Sequence, residues 1–387
     1  MGKRKRLAAI ASIGILALVL ALALSPLFTP RATTHAMKAG NGPATTIKGL
    51  LRLSVVGNTA FIVDAKGRTI AVDANPYGVA IVPPGMPASS TPGSLKAGDI
   101  LVSNIGANDT GTTLVRFPAK GGPGSLFNTV ANPGTKGPNA EAFNTLSGNM
   151  WVANASGNNV QVFKPSGSVL LTITNPLFHK PWGLAFNHGV PNPKDGSVAA
   201  FFATNIADAT IDRIEIIPGR VAPTFRVSQI GQLGRSGPET KIAVTWVPSL
   251  RLHGAMYSDV LLAIDGAANR IAAFPNSSTR TAATTRSMDK GITAFQGTPL
   301  NAPIGLTLNP LNGDLLVVNQ NDNNLVELNL AQSRVVGIRL LDNVPVDAQT
   351  GNGSALIGVA ASTDAMGNLE VFFTDDNTNT LDALSVY

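Results

Sequence analysis

An all-β fold made of six repeated units is what this sequence predicts. Three observations predict it: two motifs that recur in register, a spacing of 50 to 60 residues between copies, and turn residues scattered along the whole chain. Of the 387 residues, 39 are Gly and 26 are Pro, which interrupts any long 3.6-residue period and excludes a helical solenoid. A β-sandwich would not give six near-equal units.

The first motif is an apolar run that ends on Asn or Asp. Its copies are Leu101–Asn104, Trp151–Asn154, Phe202–Asn205, Leu262–Asp265, Val317–Asn319 and Phe372–Asp375, spaced by 50, 51, 60, 54 and 56 residues. In five copies an aliphatic residue follows six places on (Val160, Ile211, Ile271, Leu325, Leu381), whereas the first reaches Leu114 at plus ten, an insertion of four residues. The second motif precedes the first. Pro76–Ile81, Pro181–Phe186 and Pro303–Leu308 are clear copies; Pro138–Phe143, Lys241–Trp246 and Leu356–Ala361 are looser ones. Both motifs have strand character, and turn signals such as Asn312-Gly313 and Gly367-Asn368 lie between them. Gly or Ala in the third place of the second motif suits inner strands packed closely about a narrow axis.

These units resemble NHL-type β-propeller blades over about residues 75 to 387, with Pro303–Leu328 the best copy. The resemblance implies a six-bladed β-propeller: a closed ring of four-stranded antiparallel blades about a channel, starting near residues 75, 138, 180, 241, 302 and 355. The physics agrees, since a unit of ~50 residues cannot bury both faces of its sheet alone and a ring of such units can. The last unit reaches Tyr387 on its third strand. Its outer strand is therefore expected from a closing segment at residues 45–74, which includes Arg68–Asp73; such closure also covers an exposed strand edge.

The N-terminus has the layout of a signal peptide over residues 1–36. Met1–Arg6 is basic, Leu7–Leu24 carries no charge, and Thr34-His35-Ala36 offers a cleavage site. Residues 37–44 then form a short linker. The alternative is a retained anchor, because 18 apolar residues nearly span a bilayer. Five of the 29 basic residues (Lys3, Arg4, Lys5, Arg6, Arg31) and no acidic residue precede the cleavage site, leaving 24 basic against 23 acidic. So near-neutral a chain has no electrostatic footprint for nucleic acid. The absence of Cys rules out lipoprotein acylation, disulfides and thiolate metal sites. The expectation is a secreted or periplasmic monomer with no membrane partner after cleavage.

In a four-stranded blade the first strand starts, and the second ends, on one rim. Asn104, Asn154, Asn205, Asp265, Asn319 and Asp375 therefore form a ring there. A ring of oxygens can in principle hold Ca²⁺, but it has few carboxylates, and one Asn or Asp per blade is what a turn requirement predicts. Metal-dependent lactonases of the gluconolactonase and paraoxonase type resemble this chain in fold. That resemblance implies Asn or Asp just before the repeated Gly or Ala, with a Glu, as ligands of a divalent ion. Here that place reads Tyr77, Asn139, Trp182, Ile242, Ile304 and Ile357, so only Asn139 matches and no metal or cofactor is expected.

Two places further on the column reads Val79, Glu141, Leu184, Val244, Leu306 and Val359. Glu141 is the exception, and an ionised carboxylate in an apolar column costs several kcal/mol unless paired, protonated or solvated. Asn139 and Glu141 share a strand face. They form the candidate site, with Glu141 the candidate catalytic group and Tyr77, His179 and Trp182 the remaining ligand-binding candidates. A solvated Glu141, or one paired with Lys180 or Lys241, is the plainer alternative. His188 and His253 fall in loops on the opposite rim, so no three-His zinc site converges. G-x-S-x-G, G-x-G-x-x-G after a strand and P-loop motifs are absent. Segments 228–241, 276–302 and 341–356 read as long loops on the rim of the Asn/Asp ring, and 83–98 as a loop on the other rim. Three functions fit: a module binding a protein or small molecule through the Asn/Asp rim, a lactonase-like hydrolase or lyase centred on Glu141, and a structural envelope or matrix protein.

Overall fold

The computed structural model describes residues 46–386 except 65, 88, 90, 92, 129–133, 189–198, 221–222, 236–240, 281–288 and 348–349. The signal peptide and linker assigned to residues 1–44 lie outside the described residues. Among those described, no helix is long and apolar enough to cross a membrane.

The strands form six antiparallel four-stranded sheets, the blades of a β-propeller. Blade one is Pro76–Ile81, Ile100–Asn104, Thr113–Phe117 and Ser125–Leu126. Blade two is Pro138–Phe143, Met150–Asn154, Asn159–Phe163 and Val169–Ile173. Blade three is Pro181–Phe186, Ala199–Asn205, Thr210–Ile217 and Thr224–Gln232. Blade four is Val244–Leu252, Ala255–Asp265, Arg270–Phe274 and Ile292–Gln296. Blade five is Pro303–Leu308, Leu315–Asn319, Asn324–Asn329 and Arg334–Leu340. Blade six takes Leu356–Thr363, Leu369–Asp375 and Thr380–Ser385 from the C-terminus and Arg52–Asn58 from the N-terminus as its outer strand.

The closing strand pairs antiparallel with the last one, Arg52 opposite Ser385 and Asn58 opposite Thr380. Arg68–Asp73 has a different role: Thr69–Ala71 pairs with Phe61–Val63 in a separate two-stranded ribbon. Ahead of the closing strand, the 3-10 turn Ile47–Gly49 is held by buried Glu327, whose Oε2 accepts the Ile47 N–H at 2.9 Å. Ile47 and Leu50 are fully buried in the seam between blades five and six.

The core is divided among the seams. Each pair of neighbouring blades encloses its own cluster, such as Phe202, Ile211, Trp246 and Phe274 between blades three and four. Second strands are covered on both faces, which is why Leu315–Asn319 is buried throughout and reads as one apolar run. Hydroxyls on two second strands stitch the seams near the axis, and a third, Ser103, bonds within its own blade. Thr204 Oγ1 accepts the Gly183 N–H at 2.8 Å and donates to the Ile242 carbonyl of the next blade. Thr374 does the same between Gly358 and Tyr77, and Ser103 accepts the N–H of Gly78.

Outer strands were the least visible in the sequence. Segments 228–241 and 276–302, expected as loops, contain the end of Thr224–Gln232 and the whole of Ile292–Gln296. These strands are half-exposed, so polar residues such as Ser228 and Thr293 dilute the apolar alternation that marks a buried strand. The four-residue insertion in blade one is the short 3-10 turn Ala107–Asp109.

Candidate functional site

The inner strands of all six blades wall an axial cavity of about 270 Å³. Toward the Asn/Asp rim, the side chains in the second place close it. Asn139, Trp182, Ile242, Ile304 and Ile357 are all buried there. Tyr77 meets Trp182 edge-on with ring centroids 5.3 Å apart, and the Lys241 ammonium stands 5.4 and 5.6 Å from the two centroids. Ile105, Ala155 and Ile206, each following a ring Asn, pack on the same plug. Toward the opposite rim the cavity is walled by partly exposed Ile81, Thr307 and Ala361.

Glu141 lies in this cavity and is 8 % exposed. Neither of its carboxyl oxygens makes a hydrogen bond of full geometry, and among the described residues the Ser103 hydroxyl is the one side-chain group that interacts with the carboxyl, weakly. Burial pushes its pKa up to about 8, a rise that the Ser103 hydroxyl and the residue's own backbone only partly offset. The rise favours the neutral carboxylic acid, one O–H donor beside one acceptor. Asn139, 4 % exposed, spends one N–H on the Pro181 carbonyl at 3.4 Å and leaves its Oδ1 unpartnered. Neither lysine offered as a partner pairs with Glu141. Lys180 lies 3.7 Å from Asp109, and Lys241 is over the aromatic pair. The apolar second-place ring holds both cations at the outer rim, which leaves the carboxyl to the low-dielectric interior.

The structure thus gathers Tyr77, Asn139, Glu141 and Trp182 around one cavity and leaves His179 outside it. His179 sits on the Asn/Asp rim, where its N–H donates to Asn205 Oδ1 and its Nδ1 pairs with Asp208, which raises its pKa. Asn154, Asn205, Asp265 and Asp375 turn into their own hairpins, whereas Asn104 and Asn319 reach backbone outside theirs. Asn104 donates to the Thr59 carbonyl, Asn154 to Asn159, Asn205 to Thr210 and Asp212, and Asn319 to the Pro299 carbonyl; Asp265 accepts from Arg270 and Asp375 from the Thr378 N–H. Four places after each of them the chain turns with positive φ, at Asn108, Asn158, Ala209, Asn269, Asn323 and Asn379. These are the bonds of a repeated hairpin turn. Among the described residues, no three His, Cys, Asp or Glu side chains group as metal ligands.

Sequence reasoning missed a second space. Across Leu184, Val244 and Thr245, which line both, the axial cavity borders a recess of about 160 Å³ at the opposite rim. Phe143, Phe186, His188 and Trp246 wall it. The signal was present in the sixth place of the inner strands, where three successive blades carry Phe143, Phe186 and Trp246.

The chain matches no protein-family model and no curated protein. Solved structures do resemble it. Virginiamycin B lyase from Staphylococcus aureus is 11 % identical with a TM-score of 0.47, over 86 % of this chain and 99 % of that one. A protein of unknown function from Bacteroides thetaiotaomicron is 11 % identical with a TM-score of 0.52, over 86 % and 75 %. A chain of a nidogen/laminin complex is 13 % identical with a TM-score of 0.44, over 74 % and 92 %. At these identities the likeness is one of fold.

Proposed function

We propose that this chain is an exported, NHL-like β-propeller that binds a small molecule in its axial cavity through Asn139 and Glu141. The observation that carries the reading is the set of three oxygens, Glu141 Oε1 and Oε2 and Asn139 Oδ1, buried without hydrogen bonds beside about 270 Å³ of space. Folded proteins leave few such groups unsatisfied, and those they leave call for an explanation. A ligand that supplies N–H or O–H donors satisfies all three. Nothing comparable favours a protein partner on the Asn/Asp rim, since Trp182 is packed into the plug.

A lactonase-like hydrolase or lyase draws support from the same carboxyl, because an acid kept protonated at neutral pH suits general acid work. The described lining of the axial cavity holds no second carboxylate or imidazole, and His188 lines the neighbouring recess instead, so binding is the better-supported role. Export rests on the N-terminal layout, and N-terminal sequencing of exported material is its check, with a start near Met37 expected.

The test of the binding role is a thermal-shift screen of small neutral hydrogen-bonding compounds against the wild type and Glu141→Leu. The variant should melt higher, since an uncompensated buried polar group is replaced by apolar packing, and should lose every ligand-induced shift. A stabilised variant with all shifts intact would remove Glu141, and the reading, from consideration.

A further inference from the structure

Building on the axial-ligand reading, we infer that the ligand carries a planar apolar ring as well as its neutral polar head, the ring in the recess of Phe143, Phe186 and Trp246 and the head at Asn139 and Glu141, and that it enters from the rim opposite the Asn/Asp turns. The cavity and the recess share Leu184, Val244 and Thr245 as lining, so the two spaces are neighbours and a ligand that reaches both passes these three residues. The Asn/Asp end is closed by the Tyr77–Trp182 plug, whereas partly exposed residues line the other end.

The recess is built to hold an aromatic ring. Trp246 is fixed by a 2.8 Å hydrogen bond from its Nε1 to Asp259 Oδ1. Phe186 stacks on Phe201 with centroids 4.6 Å apart, and Phe201 stacks in turn on Trp151 at 3.9 Å. The His188 ring stands between Phe186 and Trp246, 5.9 and 5.5 Å from their centroids. Rings held this way need little ordering when a ligand arrives, and aromatic partners favour the edge-on and offset contacts they offer. At about 160 Å³ the recess is of one-ring size.

Spacing along blade two sets the length of the molecule. Phe143 is two residues beyond Glu141, about 7 Å along a strand, so ring and head are joined by a short spacer. The head chemistry follows from the unpartnered atoms. A primary amide donates to Asn139 Oδ1 and to a Glu141 oxygen while its carbonyl accepts the Glu141 proton. A carboxylate in the same place would bring a charge into a buried site and offer Asn139 Oδ1 no donor.

The probes are 3-phenylpropanamide, propanamide and 3-phenylpropanoate, with dissociation constants measured by ligand-observed NMR on wild type, Glu141→Leu, Phe143→Leu and Trp246→Leu, each confirmed folded by its melting curve. The phenyl amide should bind at least tenfold more tightly than both other probes. Phe143→Leu and Trp246→Leu should each cut the ratio between the two amides severalfold, and Phe143→Leu carries the test if Trp246→Leu does not fold. Glu141→Leu should abolish binding of both amides. Equal affinity for the two amides, or a ratio that the recess variants leave unmoved, overturns the ring site while leaving the axial reading in place. Tighter binding of the carboxylate overturns the neutral head. Failure of both amides to bind the wild type defeats the axial reading itself.

Discussion

Gly78 and Glu141 compete for one space: a Cβ added at Gly78 would collide with Glu141 Oε2 across the seam between blades one and two. The same Cβ would stand 2.6 Å from Ser103 Oγ and 2.9 Å from the Asn139 carbonyl. The missing side chain of one blade is thus what lets the odd carboxyl of the next lie against the cavity wall. Gly78→Ala should cost about 1–3 kcal/mol, the usual penalty of overpacking, and displace the Glu141 carboxyl. Part of that cost should vanish in the Glu141→Ala background, because the contact with Oε2 goes while the one with the Asn139 carbonyl stays. A double-mutant cycle from denaturant melts reads the coupling, expected at about 0.5–3 kcal/mol. Strict additivity would mean the two residues do not share the space.

Stability should fall as pH rises from about 4.5 to about 8. Burial lifts Glu141 from its ordinary value of 4.5 to about 8, so within that window the folded chain keeps a proton the unfolded chain has lost. A raised folded-state pKa means that stability is fully present below the unfolded value and is lost as pH climbs through the folded one. Asp212, pushed up to about 7 chiefly by burial, adds a slope of the same sign. Glu141→Gln keeps the shape and removes the titration, so its melting temperature should vary less between pH 5 and 8 than that of the wild type. An identical pH profile for both proteins would show that Glu141 is already ionised in the folded state.

How far the sequence could be read follows from where each residue is buried. Inner and second strands were legible because they are covered on both faces or crowded at the axis, so their identity repeats from blade to blade. Ser125–Leu126 and Ile292–Gln296, on the outside, carry no such constraint and vanish into polar segments. Glu141 was legible as the break in an apolar column. Its lack of a partner was not, because that depends on Lys241 lying over Tyr77 and Trp182 and on Lys180 lying near Asp109. Phe143, Phe186 and Trp246 are no more than the last places of three motif copies in the sequence, and only the folded ring shows that they border a space.

Closure of the ring should depend on Glu327 as well as on the closing strand. Its Oε2 accepts the Ile47 N–H, and its Oε1 accepts from Asn309 and Asn312. Glu327→Ala strands these donors in a buried seam, at about 1–3 kcal/mol for each that water cannot reach. The variant should unfold at lower denaturant. Deleting residues 46–58 should go further, baring the edge of Thr380–Ser385 and causing aggregation. Size-exclusion chromatography beside a melting curve reads both, and a soluble monomeric deletion mutant with an unchanged melting temperature would refute closure by this strand.

The seam stitches predict a cost out of proportion to the atoms removed. Thr204→Val keeps the shape of the side chain and replaces its hydroxyl with a methyl group. The Gly183 N–H then loses its acceptor at 2.8 Å, and the Ile242 carbonyl loses its donor. Thr204 is fully buried, so solvent does not take over either bond. Two stranded backbone groups should cost roughly 2–4 kcal/mol, whereas the added methyl returns only about 1 kcal/mol of apolar burial. Thr374→Val should behave alike, because Thr374 links Gly358 to Tyr77 in the same way. Blade five is the control. Val318 stands there beside Gly305 and the Ile357 carbonyl, as Thr204 stands beside Gly183 and the Ile242 carbonyl, so Val318→Thr offers the same two bonds and should cost less than Thr204→Val. Urea melts of the three variants decide it: a Thr204→Val as stable as the wild type would mean that the blades are held by apolar packing alone.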